Sequence, residues 1–141
     1  MDSCRAPNNT EEFEQYFQLR YQVLRKPWLQ PRGSERDELE EQSHHRLVIT
    51  TDSDVIAAGR LEQVTNKRGK IRYMAVSPKS QGQGAGQKII ESLEIQAKQL
   101  GLTEIELNAR EQAIGFYSKL GYKNLGFSYQ LFNEINHYLM I

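Results

Sequence analysis

Apolar positions switch between two spacings along the chain, and the switches mark its elements. Over residues 10–25, Phe13, Tyr16, Phe17, Arg20, Tyr21 and Leu24 recur at helical spacing. Thr10 stands where an N-cap belongs, and Glu11 and Glu12 suit the positive end of the helix dipole. Pro27 and Pro31 stop this helix. Alternation then takes over. Residues 46–51 and 55–64 read as strands around a turn at Asp52-Ser53-Asp54. Residues 66–69 read as the next hairpin turn, feeding a strand over 70–76. Helical spacing returns at Ile89, Ile90, Leu93, Ala97 and Leu100, with Gly101 as C-cap. Residues 104–107 form a short strand with Ile105 and Leu107 apolar, and 108–110 read as a turn. Residues 111–120 read as a second amphipathic helix, with Ala113, Phe116, Tyr117 and Leu120 on one side. Residues 122–132 and 135–140 read as a closing hairpin that turns at Asn133-Glu134.

This order predicts an α+β fold: a mixed sheet flanked by helices. The strands before the central helix pair antiparallel, and the strand–helix–strand unit over 70–107 makes a right-handed parallel crossover. The length of 141 residues suits one domain, 1–141, without repeat or linker. Lys plus Arg equals Asp plus Glu at 18 each, which argues against a broad basic surface for nucleic acid or an anionic membrane. No apolar run is long enough to span a bilayer, and the first ten residues lack the apolar core of a signal peptide. The single Cys4 has no disulfide partner in the chain, which fits a reducing cytoplasm; it reads as a surface or first-strand thiol. The acidic run over 34–42 reads as a short helix or solvated loop. Trp28, in an irregular segment, reads as core packing or as a lid over a substrate.

The chemistry concentrates at Tyr73 to Gly86, Y-M-A-V-S-P-K-S-Q-G-Q-G-A-G. A strand ends at Ser77-Pro78, and Gly82, Gly84 and Gly86 lead directly into the central helix. Such a turn offers unpaired backbone N–H groups at a helix N-terminus, the geometry that binds phosphate oxygens. Gly86 is followed by Gln87-Lys88, which excludes a Walker A loop, and its spacing is one residue short of a dinucleotide fingerprint.

The spacing Gln81-x-x-Gly84-x-Gly86 after a strand resembles motif A of the GNAT superfamily of acetyl-CoA-dependent N-acetyltransferases. Asn108 to Tyr122, N-A-R-E-Q-A-I-G-F-Y-S-K-L-G-Y, resembles motif B of the same superfamily. The resemblance spans the chain and implies the GNAT fold. It implies acetyl-CoA as co-substrate, with no metal. Its pyrophosphate would lie on the turn of Gln81, Gly82, Gln83, Gly84, Ala85 and Gly86. Its pantetheine arm would lie along Met74, Ala75 and Val76 and against Asn108. The same resemblance makes Tyr117 the general acid for the thiolate. A phenol with pKa about 10 can return a proton to a thiolate whose conjugate acid is near 8.5.

Three residues compete as the base that deprotonates the amine: Glu62 on the predicted strand over 55–64, His45 at the start of the strand near Arg46, and His137. The last lies in I-N-H-Y-L-M, which resembles the I-P-H-x-x-M ending of ElaA-like GNAT proteins, with Asn136 in place of the proline. A plain hydrogen-bonded polar residue accounts for each histidine equally well. The expected acceptor is a small-molecule or peptide amine, its identity open; the acidic run over 35–41 could attract a cationic one. An edge of the final hairpin offers a route to a homodimer. Rival readings are a non-catalytic acyl-CoA-binding module on the same scaffold and a nucleotide-binding protein using the glycine turn.

Overall fold

The structure is a computed structural model and describes residues 2–141. Its elements in chain order are β1 (Ser3–Arg5), α1 (Thr10–Leu24), β2 (His44–Ile49), β3 (Val55–Gln63), β4 (Arg68–Val76), α2 (Ala85–Gln99), β5 (Glu104–Arg110), α3 (Ile114–Lys119), β6 (Asn124–Leu131) and β7 (Ile135–Met140). One sheet holds all seven strands in the order β1-β2-β3-β4-β5-β7-β6. Neighbours pair antiparallel except β4 and β5, which run parallel through the α2 crossover. The α+β mixed sheet therefore stands as the sequence pattern implies.

The helices form because each has one apolar face to bury. On one side of the sheet, Ile89, Ile90, Leu93 and Ala97 of α2 pack with Val48, Ala57, Leu61, Ile71 and Leu107. Tyr117 of α3 and Tyr122 extend that cluster. On the other side, Tyr16, Phe17, Leu19 and Leu24 of α1 pack on Leu47, Ile49, Ala58 and Ala75. Arg20 lies on the same face of α1 and is fully buried.

Several boundaries differ from the sequence reading. Asn9, not Thr10, caps α1: its side chain accepts from the Glu12 N–H at 2.8 Å. A three-residue strand, β1, pairs Cys4 with Val48 and extends the sheet; it is too short to carry a periodic signal. Residues 108–110 continue β5 and pair with β7; they do not form a turn. A single turn of 3-10 helix over Glu111–Ala113 precedes α3. The outermost strand, β6, leaves Leu125 and Phe127 exposed.

Two local features open the sheet. Ala58 pairs with Ala75 but Arg60 with Arg72, so Tyr73 and Met74 oppose Gly59 alone in a β-bulge. Tyr73 takes a left-handed φ of 56° at this point. The parallel ladder between β4 and β5 ends at the pair Ile71 and Leu107, although both strands continue. Past that pair, β4 and β5 splay.

The acidic run over 34–42 is a loop, solvated at Arg36, Glu38, Glu41 and Gln42 but tied inward through Glu35, Asp37 and Glu40. Arg20 donates to both Glu40 oxygens at 3.0 and 2.7 Å and to the Glu35 carbonyl. Arg60, fully buried, meets Asp37 at 2.7 Å, Glu40 at 2.9 Å and Glu62 at 2.7 Å. The segment folds back onto α1 and β3 because buried guanidiniums require carboxylates beside them.

Candidate active site

The splay of β4 and β5 opens a cleft of about 1000 Å³. It is lined by Arg72 to Val76 of β4, by Asn108 to Arg110 of β5, by Gln81, Gly82 and Gly84 of the turn, and by Arg25, Tyr129, Leu131 and His137. Ala113, Phe116 and Tyr117 complete the lining.

At the turn, Gly84 is the N-cap residue of α2 with φ 86°, and no side chain caps the helix. A Cβ placed there would meet nothing within 4 Å, so the space in front of the backbone is open. The first N–H groups of α2 thus face the cleft without intrahelical partners. Gly86 has a different role: a Cβ there would come within 3.2 Å of Phe116 and 3.4 Å of Val76, so it lets α2 seat against both. Gln81 donates from Nε2 to the Val76 carbonyl at 3.4 Å and braces the turn against β4. Gln83 is exposed and does not line the cleft.

Along the walls, Met74, Ala75 and Val76 lie beyond the last parallel pair, so β5 does not satisfy their backbone groups. The Asn108 Oδ1 is buried and has no hydrogen-bond partner among the described residues. A buried amide oxygen without a donor is costly, and its place in the wall makes it a ready acceptor. Tyr117 is buried against Phe116 and Tyr122, with ring centroids 4.9 and 6.1 Å away. Burial raises its phenol pKa, so the hydroxyl keeps its proton at neutral pH.

The three candidate bases separate sharply. Glu62 is bound to Arg60 at 2.7 Å, and it does not line the cleft. His45 also lies away from it, with Nδ1 2.8 Å from the Tyr16 hydroxyl and Nε2 2.7 Å from the Glu40 carbonyl. Both its ring nitrogens are engaged in holding α1 and the acidic segment to β2. His137 alone of the three lines the cleft. Its Nδ1 lies 3.0 Å from the Ile135 carbonyl, which can only accept. The proton therefore sits on Nδ1 and the lone pair on Nε2. The ring stacks on Tyr129 at 4.5 Å, nearly parallel. Burial first, then the charges of Arg110 and Arg25, hold its pKa below the ordinary imidazole value.

Arg25 and Arg110 were not singled out by the sequence reading, yet both line the cleft. Both donate to the Leu24 carbonyl, at 3.0 Å from Arg25 and 3.4 Å from Arg110, so the two guanidiniums meet on one oxygen. Neither has a carboxylate within salt-bridge distance among the described residues. A signal existed for Arg110: it is two residues from Asn108, which places both on one face of a strand. Reading 108–110 as a turn concealed it. Trp28 is half-buried in a turn of 3-10 helix and is not among the cleft-lining residues.

The mixed seven-stranded sheet is split between its two parallel strands, and a glycine turn opens the crossover helix at the split. The chain matches the Acetyltransferase (GNAT) family over residues 10–122, and it belongs to that family. It is 33% identical over 117 residues to the uncharacterized N-acetyltransferase YjcF of Bacillus subtilis, covering 83% of this chain and 82% of that one. Among solved structures, an acyl-CoA N-acyltransferase from Pseudomonas aeruginosa superimposes with TM-score 0.80 at 23% identity, covering 99% of this chain and 97% of that one. Escherichia coli ElaA superimposes with TM-score 0.79 at 19% identity over the same shares, 99% and 97%. These two likenesses establish the fold. The chain is accordingly a GNAT-family transferase of the kind that uses acyl-CoA.

Proposed function

We propose that the protein transfers an acetyl group from acetyl-CoA to a primary amine by direct attack in a ternary complex. The observation that carries this is the cleft itself. It joins an uncapped helix N-terminus, a stretch of unpaired strand backbone, the orphaned Asn108 oxygen and the protonated Tyr117 hydroxyl. In this reading the backbone N–H groups of Gly84 to Gly86 hold the pyrophosphate, with Gln81 bracing the turn. Met74, Ala75, Val76 and Asn108 align the pantetheine arm. Backbone N–H groups of the splayed β4 stabilise charge developing on the thioester oxygen. His137 Nε2 accepts the amine proton, directly or through water. The amine nitrogen bonds to the acetyl carbon, the carbon–sulfur bond breaks, and Tyr117 donates its proton to the departing thiolate. Glu62 and His45 have no part in this scheme, because their partners place them in the structural network on the α1 side of the sheet.

Acetyl-CoA-dependent thiol release over a panel of primary amines tests the reading, with calorimetry of coenzyme A alongside. Gly84→Ala, modest in bulk, should weaken coenzyme A binding, because it adds a side chain at the left-handed position facing the cleft. Undiminished coenzyme A affinity in a folded Gly84→Ala protein places the cofactor elsewhere. An intact cofactor affinity with no turnover on any amine points instead to a non-catalytic acyl-CoA-binding module.

A further inference from the structure

The cleft is lined by Arg25, Lys70, Arg72 and Arg110 and by no aspartate or glutamate. Arg72 is accounted for, since it faces Asp37 at 3.3 Å. Arg25 and Arg110 are not. They are half-buried, converge on the Leu24 carbonyl and lack any carboxylate partner among the described residues. Two like charges brought together out of water repel each other, and a fold keeps them so at a cost unless an anion joins them. Elsewhere in this chain the cost is met: Arg20 and Arg60 each have carboxylates in place. We infer that Arg25 and Arg110 form the anion receptor of the acceptor site, so that the amine substrate carries a carboxylate or phosphate group. This rests on the acetyl-transfer reading for the role of the amine, and it narrows that reading to one acceptor class.

The same geometry sets the size of the acceptor. Arg110 pairs directly with His137 across β5 and β7, and side chains so placed have Cβ atoms about 5 Å apart. The His137 Nε2 lone pair and the Arg110 guanidinium therefore address two ends of one small molecule. A short aminoalkyl carboxylate or phosphate fits, with the amine toward His137 and the anion between the arginines. A polycationic acceptor does not, because the side chains lining the cleft include four cations, Arg25, Lys70, Arg72 and Arg110, and no carboxylate among the described residues.

The probes are 2-aminoethyl phosphate and β-alanine, each against its counterpart without the anionic group, ethanolamine and β-alaninamide. All four are titrated calorimetrically into the parent, Arg25→Gln and Arg110→Gln proteins, with and without saturating coenzyme A. At least one anionic probe should bind the parent about tenfold or more tighter than its counterpart, the scale of one charge-assisted hydrogen bond. That advantage should vanish in both variants and return in part in Arg110→Lys, while coenzyme A affinity stays at the parental value. The two anionic arms tell phosphate from carboxylate. Counterparts that bind as tightly, an advantage that survives both substitutions, or no binding by any probe overturns the receptor. So does a loss of coenzyme A affinity in the variants, which would assign the arginines to the cofactor. An anionic advantage in a protein that does not bind coenzyme A would leave the receptor standing and remove acetyl transfer.

Discussion

Arginine is buried in two ways in this molecule. Arg20 and Arg60, beneath the bulge at Tyr73, are fully buried, and their terminal nitrogens face Asp37, Glu40 and Glu62. Aromatic faces complete the lining: the Arg20 guanidinium lies 3.9 Å from the Tyr73 ring centroid and 4.9 Å from that of Phe17. Arg25 and Arg110, across Tyr73 in the cleft, have backbone carbonyls and aromatic rings but no carboxylate. The first set is closed within the chain and holds the acidic segment against the sheet. The second is left open toward the cleft. Completeness of charge pairing, more than depth, separates a structural arginine from one kept for a ligand.

Breaking the closed set should have the largest effect. Arg60→Ala would leave Asp37, Glu40 and Glu62 crowded without their shared cation. Removing one partner of a buried ion pair costs about 3–5 kcal/mol. Urea unfolding should show that loss as a shifted midpoint at similar slope. A loss under about 1 kcal/mol would mean that water already screens the network.

Acid should open the same set more gently. The Arg60 guanidinium holds the Asp37 carboxyl down to about 2, with Arg72 adding to the effect. A depressed carboxylate pKa contributes stability that is fully present above its unfolded value, near 4, and that is lost as pH falls through its folded value. Between about pH 4 and pH 2 Asp37 should therefore account for about 1–2 kcal/mol of the fall in stability. Asp37→Asn should lower stability at pH 7 and flatten the curve across that window. A variant curve parallel to the parent's would assign acid unfolding to other carboxylates, with Glu12, held to about 2 by Arg5, the first to examine.

The contrast between the two sets was only partly legible in the sequence. The α+β order, the parallel crossover and the glycine turn at 81–86 were readable because each is a local pattern: a period, a proline, a glycine spacing. Arg20 even fell on the apolar face of α1. The fate of a charge was not readable, because it depends on partners far along the chain. Arg60 finds Asp37 at 2.7 Å across 23 residues, and Arg110 meets the Leu24 carbonyl across 86. The acidic run over 34–42 therefore looked like a solvated loop. The same limit governed the candidate bases. His45, Glu62 and His137 can all accept a proton, and it is tertiary contacts that bring His137 to the cleft and tie the other two into the ionic layer.

Within the cleft, Tyr117→Phe should cost activity and not stability, the reverse of Arg60→Ala. The ring and its packing against Phe116 and Tyr122 remain, and only the proton donor is lost. General acid assistance is worth ~10²–10⁴ in rate, and water can replace part of it, so kcat should fall at least about tenfold. Coenzyme A affinity and the urea midpoint should stay near the parental values. Parental kcat on the true acceptor, with chemistry rate-limiting, would return Tyr117 to the core. The acid limb of kcat/KM should lie below the usual imidazole value of about 6.5, because burial favours neutral His137. That limb should disappear in His137→Gln.

The smallest effect, and the sharpest test of the contrast, is the stability of Arg110→Gln without any ligand. The parent guanidinium makes one long contact, 3.4 Å to the Leu24 carbonyl. Burial and the neighbouring Arg25 charge both disfavour its charged form. Glutamine can still donate to that carbonyl, and it removes one of two like charges. The lost contact and the relieved repulsion oppose each other, so the net change should stay within about 1 kcal/mol of zero. Added inorganic phosphate should raise the parent's melting temperature by binding the folded state and should raise the variant's less. A loss on the scale of Arg60→Ala would show that Arg110 is as much a part of the scaffold as Arg60. The distinction between closed and open arginines would then fail where it matters, at the wall of the cleft.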